Sequence, residues 1–487
     1  MGKRNKVLYQ VLVLLTLAAV LFVTACSSGN KEGGSASSAS PSGSPASSAS
    51  DTASKTPDKK VKLRFAAYNQ DTPAIKQDLA NFAEAHPNIE VEVMNFPNDL
   101  NEYYKALDVA IAGNETIDVI LMQKDTAGKK ATQGILTDLD SIAQKDNNFD
   151  IKANYGSVMD GAKTNGKYYY IPYNIDFDVL YYNKDMFDAN GITAYPDENT
   201  TLKQLADNAK KLTTGEGANK VYGFVWGYAT YNSLLRLIEN EGWQWLKEDG
   251  TPNLEDPRVK EVFATFKDLF DSGAVPSIAN MQLEKMNNRV VFAQKHAAMI
   301  IRNWWTPVQW NTLRYDDKLF WQNGPDFKFE ATHLPRFNDQ DKPKLQFVQP
   351  GWGYGVSSKS KYPAEAWEFI KFMTATRYEV SDAITVIPAY TKISDEKFAT
   401  IYNYYEKKDG TIIKDAYGPE VAAQHKKIKD EIVPTISQFQ IRPIDVGIQN
   451  AIMDVIEREA TEYFTGKIDI DDFIKKIQAE AVKVAKK

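Results

Sequence analysis

Hydrophobic and polar residues alternate at 61–65 (VKLRF) and again at 89–94 (IEVEVM), the period of two expected of strands. Between them lie a polar loop at 68–70 and a helical pattern from about 73 to 86. A second helical pattern runs through Leu107 and Ile111 until Gly113 and Asn114 break it. Residues 119–122 (VILM) are then apolar without interruption, which suits a buried parallel strand. The order β-α-β-α-β predicts an open α/β sheet with helices on both faces. Such sheets hold ligands at the carboxyl ends of their strands, where the loops 68–70 and 123–125 fall. Tyr68 and Asn69 are candidate site residues because the first strand's loop carries them.

Farther along, helical patterns dominate, at 202–212, 233–240, 259–271 and 363–374. Short strand-like runs separate them at 222–226, 298–301 and 354–357, and the chain closes with helices from about 444 to 464 and from 470 to 486. There is no internal repeat and no coiled-coil heptad pattern.

The first 57 residues follow other rules. Lys3, Arg4 and Lys6 precede an apolar run at 11–23 that ends at Cys26, the one cysteine of the 487 residues. Residues 23–26 (VTAC) resemble a bacterial lipobox, so 1–25 read as a lipoprotein signal peptide and Cys26 as the lipidated first residue of the mature chain. A membrane-spanning helix needs about 20 apolar residues, and this run is shorter, with Gln10 interrupting it at its start. Residues 26–57 are nearly all Ser, Ala, Gly and Pro, too small to build a core, and read as a disordered tether. The expected place is therefore the extracellular face of the cell membrane.

Composition narrows the possibilities. The 58 Lys and Arg, less the three in the signal, stand against 64 Asp and Glu and leave the mature chain at a net charge of −9. Nucleic acid is not an expected partner. With its thiol lipidated the body can form no internal disulfide and depends on core burial. About 430 residues follow the tether, more than one core usually serves, so two lobes are expected.

Little in the chain suggests catalysis. Gly161, Gly166 and Lys167 have the spacing of a phosphate loop, but Tyr168 stands where a Mg²⁺-binding Ser or Thr is required. His86, His296, His333 and His425 are scattered, which leaves zinc without a ligand set. No cofactor or metal is expected. The acidic pairs Asp176 with Asp178 and Glu239 with Glu241 could in principle do glycosidase work; with 64 acidic residues such pairs also arise by chance.

Residues 165–187 (NGKYYYIPYNIDFDVLYYNKDMF) resemble a signature of the bacterial ABC-importer solute-binding proteins, the family that includes the maltose-binding protein. Residues 117–139 resemble its strand, pocket loop and Gly-Ile-Leu helix end, and 292–307 (FAQKHAAMIIRNWWTP) its Ala-Met strand with a tryptophan soon after. Residues 351–374 resemble its returning strand and helix, and 465–467 open its usual terminal helix. The resemblance spans nearly everything beyond the tether, in family order.

It implies a two-lobed periplasmic-binding-protein-like fold, with lobe 1 at 58–175 and 352–389 and lobe 2 at 176–351 and 390–487. Three crossings are expected, near 174–180, 349–355 and 387–392, with hinge closure around a ligand. The implied function is non-enzymatic: a monomer that captures a carbohydrate, an oligosaccharide first of all, and passes it to the transmembrane subunits of an ABC permease. A different solute, or a surface glycoside hydrolase with the same anchor and aromatic residues, remains as an alternative.

The resemblance also implies where ligand would sit. Trp305 falls where the family places a sugar-stacking tryptophan, and Trp352 lies in the Gly-Trp-Gly of a crossing. Asp176 matches an acidic position at the first crossing, and Asp125 a second one, with Gln123 and Lys124 beside it. Trp226, Tyr228 and Asn232 follow a strand-like run of lobe 2 and are expected on the opposite wall. Pyranose rings suit such a set, since their C–H faces pack on aromatic rings while their hydroxyls need carboxylate, amide or guanidinium partners. Met122 stands where the maltose-binding protein has a tryptophan, so the ligand need not be maltose.

Overall fold

The computed structural model describes residues 60–68, 72–316, 326–337, 349–381, 386–400, 404–407, 409–414, 416, 418–433, 444 and 446–486. The expected signal peptide at 1–25, Cys26 and the expected tether to 57 lie outside the described residues.

The alternating and continuous apolar runs near the start of the body become neighbours in one sheet. Val61–Ala66 pairs in parallel with Ile89–Met94 on one side and Val119–Gln123 on the other. All of 119–122 is buried, as a strand covered on both faces requires. Trp352–Val356 returns to add an antiparallel strand beside Val119–Gln123, and Ile171–Pro172 closes the edge, giving five strands.

The helices start where the sequence offers caps. Thr72 accepts from the Ile75 amide ahead of Pro73–Ala85, with proline in the first turn. Asp99 accepts from the amides of Asn101 and Glu102 at the head of Leu100–Ala112, and Gly113 ends it. The Tyr103 hydroxyl of that helix donates to the Leu121 carbonyl at 2.7 Å, pinning the helix to the carboxyl end of the central strand.

A second sheet has four strands in the order Phe329–Thr332, Asp178–Asn183, Met299–Asn303, Val225–Trp226. Asp178–Asn183 is buried at all six positions and runs antiparallel to both neighbours. The helix Leu202–Leu212, which packs on Pro257–Asp271, opens with a capping box between Thr201 and Gln204.

Between the sheets the three expected crossings run side by side. Ile175–Asp176 pairs antiparallel with Gln349–Pro350. Asn174 bridges Pro388, the Ile175 amide donates to Ile387 O at 3.1 Å, and the Ala389 amide to Tyr173 O at 3.1 Å. At Gly351 a Cβ would fall 2.3–2.7 Å from the Asn174 carboxamide, whose oxygen accepts from the Trp352 amide at 2.8 Å. The bare backbone lets two crossings touch. The result is a two-lobed α/β fold in which each lobe has its own open sheet and the two are joined by crossing segments.

Two expectations are corrected. No loop occupies 123–125: the helix Lys124–Thr132 starts as soon as the strand ends at Gln123. Its buried face is Ala127, Lys130 and Ala131, too weakly apolar to show as a helical period, and Lys130 is paired with Asp108 at 2.6 Å. The helix 363–374 is regular only over Pro363–Lys371 and then widens into a π turn over Phe372–Thr376.

Behind the first sheet, Asp78 and Arg377 form a buried pair at 3.6 Å with side chains 1% and 8% exposed. Burial pushes the Asp78 carboxyl up and Arg377 opposes it. The guanidinium also lies 5.7 Å from the centroid of Tyr173, next to the crossings. Asp78→Ala leaves that cation uncompensated, and an expected loss of about 3–5 kcal/mol in urea unfolding follows; a loss below about 1 kcal/mol would show the pair to be dispensable.

Candidate functional site

A cavity of about 370 Å³ opens between the sheets, where the crossings run. Gln123, Lys124 and Asp125 reach it from the end of the central strand of the first sheet, at the carboxyl end. Tyr173, Asn174 and Asp176 come from the first crossing, Pro350, Gly351 and Trp352 from the second, and Val386 from the approach to the third. Trp304 and Trp305 follow the strand Met299–Asn303 of the second sheet.

Asp176 is the polar centre. Its carboxylate accepts from Asn303 Nδ2 at 3.2 Å through both oxygens and from Trp305 Nε1 at 3.0 Å. Burial, and next the charge of Asp178, push it up to about 6, against the pull of Arg236 and the two hydrogen-bonding side chains. Asp178 itself accepts from Arg236 Nε at 3.0 Å and from the Tyr228 hydroxyl at 2.6 Å. Asp176 therefore has only neutral donors, while its neighbour is held in an ion pair.

The aromatic walls differ from each other. Trp304 is fully buried and donates its indole N–H to Ile175 O at 3.1 Å, tying the second sheet to the first crossing. Trp305 is only partly buried, and Arg289 lies 4.7 Å from its ring centroid. Trp352 is backed by Tyr68, the rings 5.3 Å apart and 8° from parallel. Lys124 is pushed below its ordinary value by burial, with Asp125 and Glu239 opposing.

Of the eleven sequence-predicted ligand residues, Gln123, Lys124, Asp125, Asp176, Trp305 and Trp352 line this cavity. Tyr68 stands behind Trp352, and Asn69 lies outside the described residues. The structure does not bring the lobe 2 trio to the wall. Trp226 is fully buried, donates to Ser233 Oγ at 2.8 Å and packs edge-on against Phe266. Tyr228 holds Asp178, and Asn232 donates through its amide and its Nδ2 to Glu457 at 2.6 and 2.7 Å. Tyr173, Asn174, Pro350, Gly351 and Val386 also line the cavity and are not among the sequence candidates, although most of them fall at or inside the predicted crossings. The signal for them is that position, because a residue of a crossing sits at the floor of the cleft.

The carboxylate pairs weighed for acid/base work do not face each other across the cavity. Glu239 accepts from Trp245 Nε1 at 2.6 Å and Glu241 from the Phe337 amide at 2.7 Å, each in its own packing site. Among the described residues no group of three or more His, Cys, Asp or Glu is placed to hold a metal ion, and no helix is long and apolar enough to cross a membrane.

Two lobes, three crossings and a cleft with aromatic and carboxylate walls define a solute-binding protein by architecture. Residues 66–380 match the family model described as bacterial extracellular solute-binding protein, and the chain belongs to that family. A probable ABC transporter-binding protein of Deinococcus radiodurans is 22% identical over 271 residues; the match takes in 50% of this chain and 61% of that protein, less than two thirds of its length. A sugar transporter of Rhizobium etli, solved in an open conformation, has a TM-score of 0.65 at 20% identity and covers 86% of this chain and 99% of its own. An ABC substrate-binding protein of Listeria monocytogenes, solved in complex with cycloalternan, has a TM-score of 0.64 at 22% identity, covering 87% and 99%. At these identities the likeness is one of fold, and the fold and family are those of binding proteins.

Proposed function

We propose that this protein captures a carbohydrate, most naturally an oligosaccharide, in the cleft between its lobes and delivers it to the permease of an ABC importer without changing a bond in it. The observation that carries this reading is the pairing of two part-exposed indoles, Trp305 and Trp352, with the hydrogen-bonding groups of Asp176, Asp125 and Gln123 around one cavity. Ring faces receive the C–H faces of pyranoses, and the polar groups receive hydroxyls. A ligand that touches both lobes binds the closed arrangement better and shifts the population toward it, which gives the permease a shape to recognise. On this reading lobe 1 holds 58–175 and 352–389, lobe 2 holds 176–351 and 390–487, and Cys26 carries the lipid that keeps the body at the outer membrane face.

The test is calorimetry of the purified full-length protein in detergent against neutral and acidic oligosaccharides, with product analysis of each mixture. Saturable binding and unchanged sugars are expected. Cleavage products without a stable complex would favour the hydrolase, and binding of peptides or polyols alone would point to another solute. Cys26→Ser is expected to leave the signal uncleaved and to abolish incorporation of labelled fatty acid; a Cys26→Ser protein that is still lipidated and processed would refute the anchor.

A further inference from the structure

Two guanidinium groups that are not among the cavity's lining residues lie close to its second-sheet side without an ion pair among the described residues. Arg302 is on the strand Met299–Asn303, immediately before Asn303, and its guanidinium carbon lies 4.0 Å from the centroid of Tyr228. Arg289, on the short helix Asn288–Ala293, lies over Trp305 of the cavity wall. Among the described residues neither makes an ion pair. Arg289 has one long hydrogen bond, Nη2 to Asn303 Oδ1 at 3.4 Å, and Arg302 has none. Nε of Arg289 and both Nε and Nη1 of Arg302 are shielded from water with no acceptor.

Donors left this way on cations are among the costliest omissions in a folded protein. Proximity adds to the cost: burial, and then the charge of Arg302, push Arg289 down to about 10, against the pull of Tyr228, Asp178 and Asp176. The seat is nevertheless built. A Cβ on Gly227 would fall 2.2 Å from Ile301 O and 2.6 Å from Arg302 Cδ, so the chain keeps a bare backbone where that arginine folds against Tyr228. The carboxylates nearby are already occupied, Asp178 by Arg236 and Tyr228, Asp176 by Asn303 and Trp305. What this corner lacks is acceptors. On the other side of the cavity Lys124, partly buried, is likewise without an ion pair among the described residues.

We infer that the carbohydrate captured here carries an oxyanion, a uronate carboxylate or a sulfate ester, which Arg289, lying over Trp305, and Arg302 next to it receive at the edge of the cavity. The inference rests on the carbohydrate reading above and deepens it. A neutral hydroxyl brings a donor with each acceptor and leaves the two cations facing each other. An oxyanion brings acceptors only, cancels charge, and suits guanidinium planes already held against aromatic rings.

The test is calorimetry of the full-length protein with uronate oligosaccharides, the same compounds with every carboxyl methyl-esterified, and sulfated counterparts. The acidic form, uronate or sulfate, is expected to bind at least about a hundredfold more tightly than the ester, and its affinity to fall several-fold between about 50 and about 500 mM salt, where screening shortens. Arg302→Met is expected to remove most of that advantage and Arg302→Lys to restore part of it. If Arg302→Met fails to fold, the acid-to-ester ratio and the salt slope of the unaltered protein decide alone. Neutral oligosaccharides binding as tightly as acidic ones would overturn this inference and leave the carbohydrate reading standing; no binding of any carbohydrate would overturn both.

Discussion

Trp305→Ala is expected to weaken capture of the carbohydrate by about thirtyfold to several hundredfold, the equivalent of about 2–4 kcal/mol for loss of a buried aromatic anchor. Two losses combine. The ring face offered to the cavity disappears, and so does the indole N–H that holds Asp176 at 3.0 Å. Asp176 would keep only Asn303 and would no longer present its oxygens in a fixed direction. Trp305→Phe separates the two, since it retains a ring and removes the N–H; an intermediate affinity is expected. Because Trp305 is part-exposed at the cavity surface, while its neighbour Trp304 is fully buried, the melting temperature should move by only a few degrees. Calorimetric titration beside a thermal melt checks both. Unaltered affinity in Trp305→Ala would remove this ring from the site and the carbohydrate reading with it.

How much of this site is legible in the sequence depends on the distance over which each residue's fate is decided. The strands at 61–66, 89–94 and 119–123 are set by local alternation or by an unbroken apolar run, and the pattern shows them directly. The crossings follow from resemblance alone, because nothing in residues 174–176 or 349–351 announces that they will pair. The helix Lys124–Thr132 escapes the pattern because alanines and a lysine make its buried face. Trp226 illustrates the harder failure. An aromatic at a strand end reads the same whether it will face a ligand or a core, and the choice falls to Phe266 and Ser233, which close around it. Asn232 is settled by Glu457, 225 residues away in sequence. Family resemblance points to Asp176 and Trp305 separately; that they bond to each other is information only the fold supplies.

That bond sets up a conflict between stability and binding at Asp176, which a pH series is expected to reveal. Burial and the neighbouring Asp178 push its carboxyl up to about 6, whereas in the unfolded chain it titrates near its ordinary value of about 3.9. The folded protein therefore holds this proton at pH values where the unfolded chain has released it, and stability falls as pH rises through the window between the two values. The expected loss across that window is about 3 kcal/mol, complete above about pH 7. Asp176→Asn removes the titration while keeping an oxygen for Asn303 or Trp305 to donate to, so ligand-free Asp176→Asn should be the more stable protein at about pH 7.5, with the difference shrinking toward about pH 4. Its affinity for carbohydrate at about pH 7.5 should nonetheless drop by about tenfold or more, since a charged acceptor of hydroxyls is replaced by a neutral one. Greater stability with weaker binding in one substitution is the mark of a group kept ionised for its ligand at the expense of the fold. Equal urea-unfolding stabilities for the two proteins across the pH series would show that Asp176 does not titrate as its surroundings require.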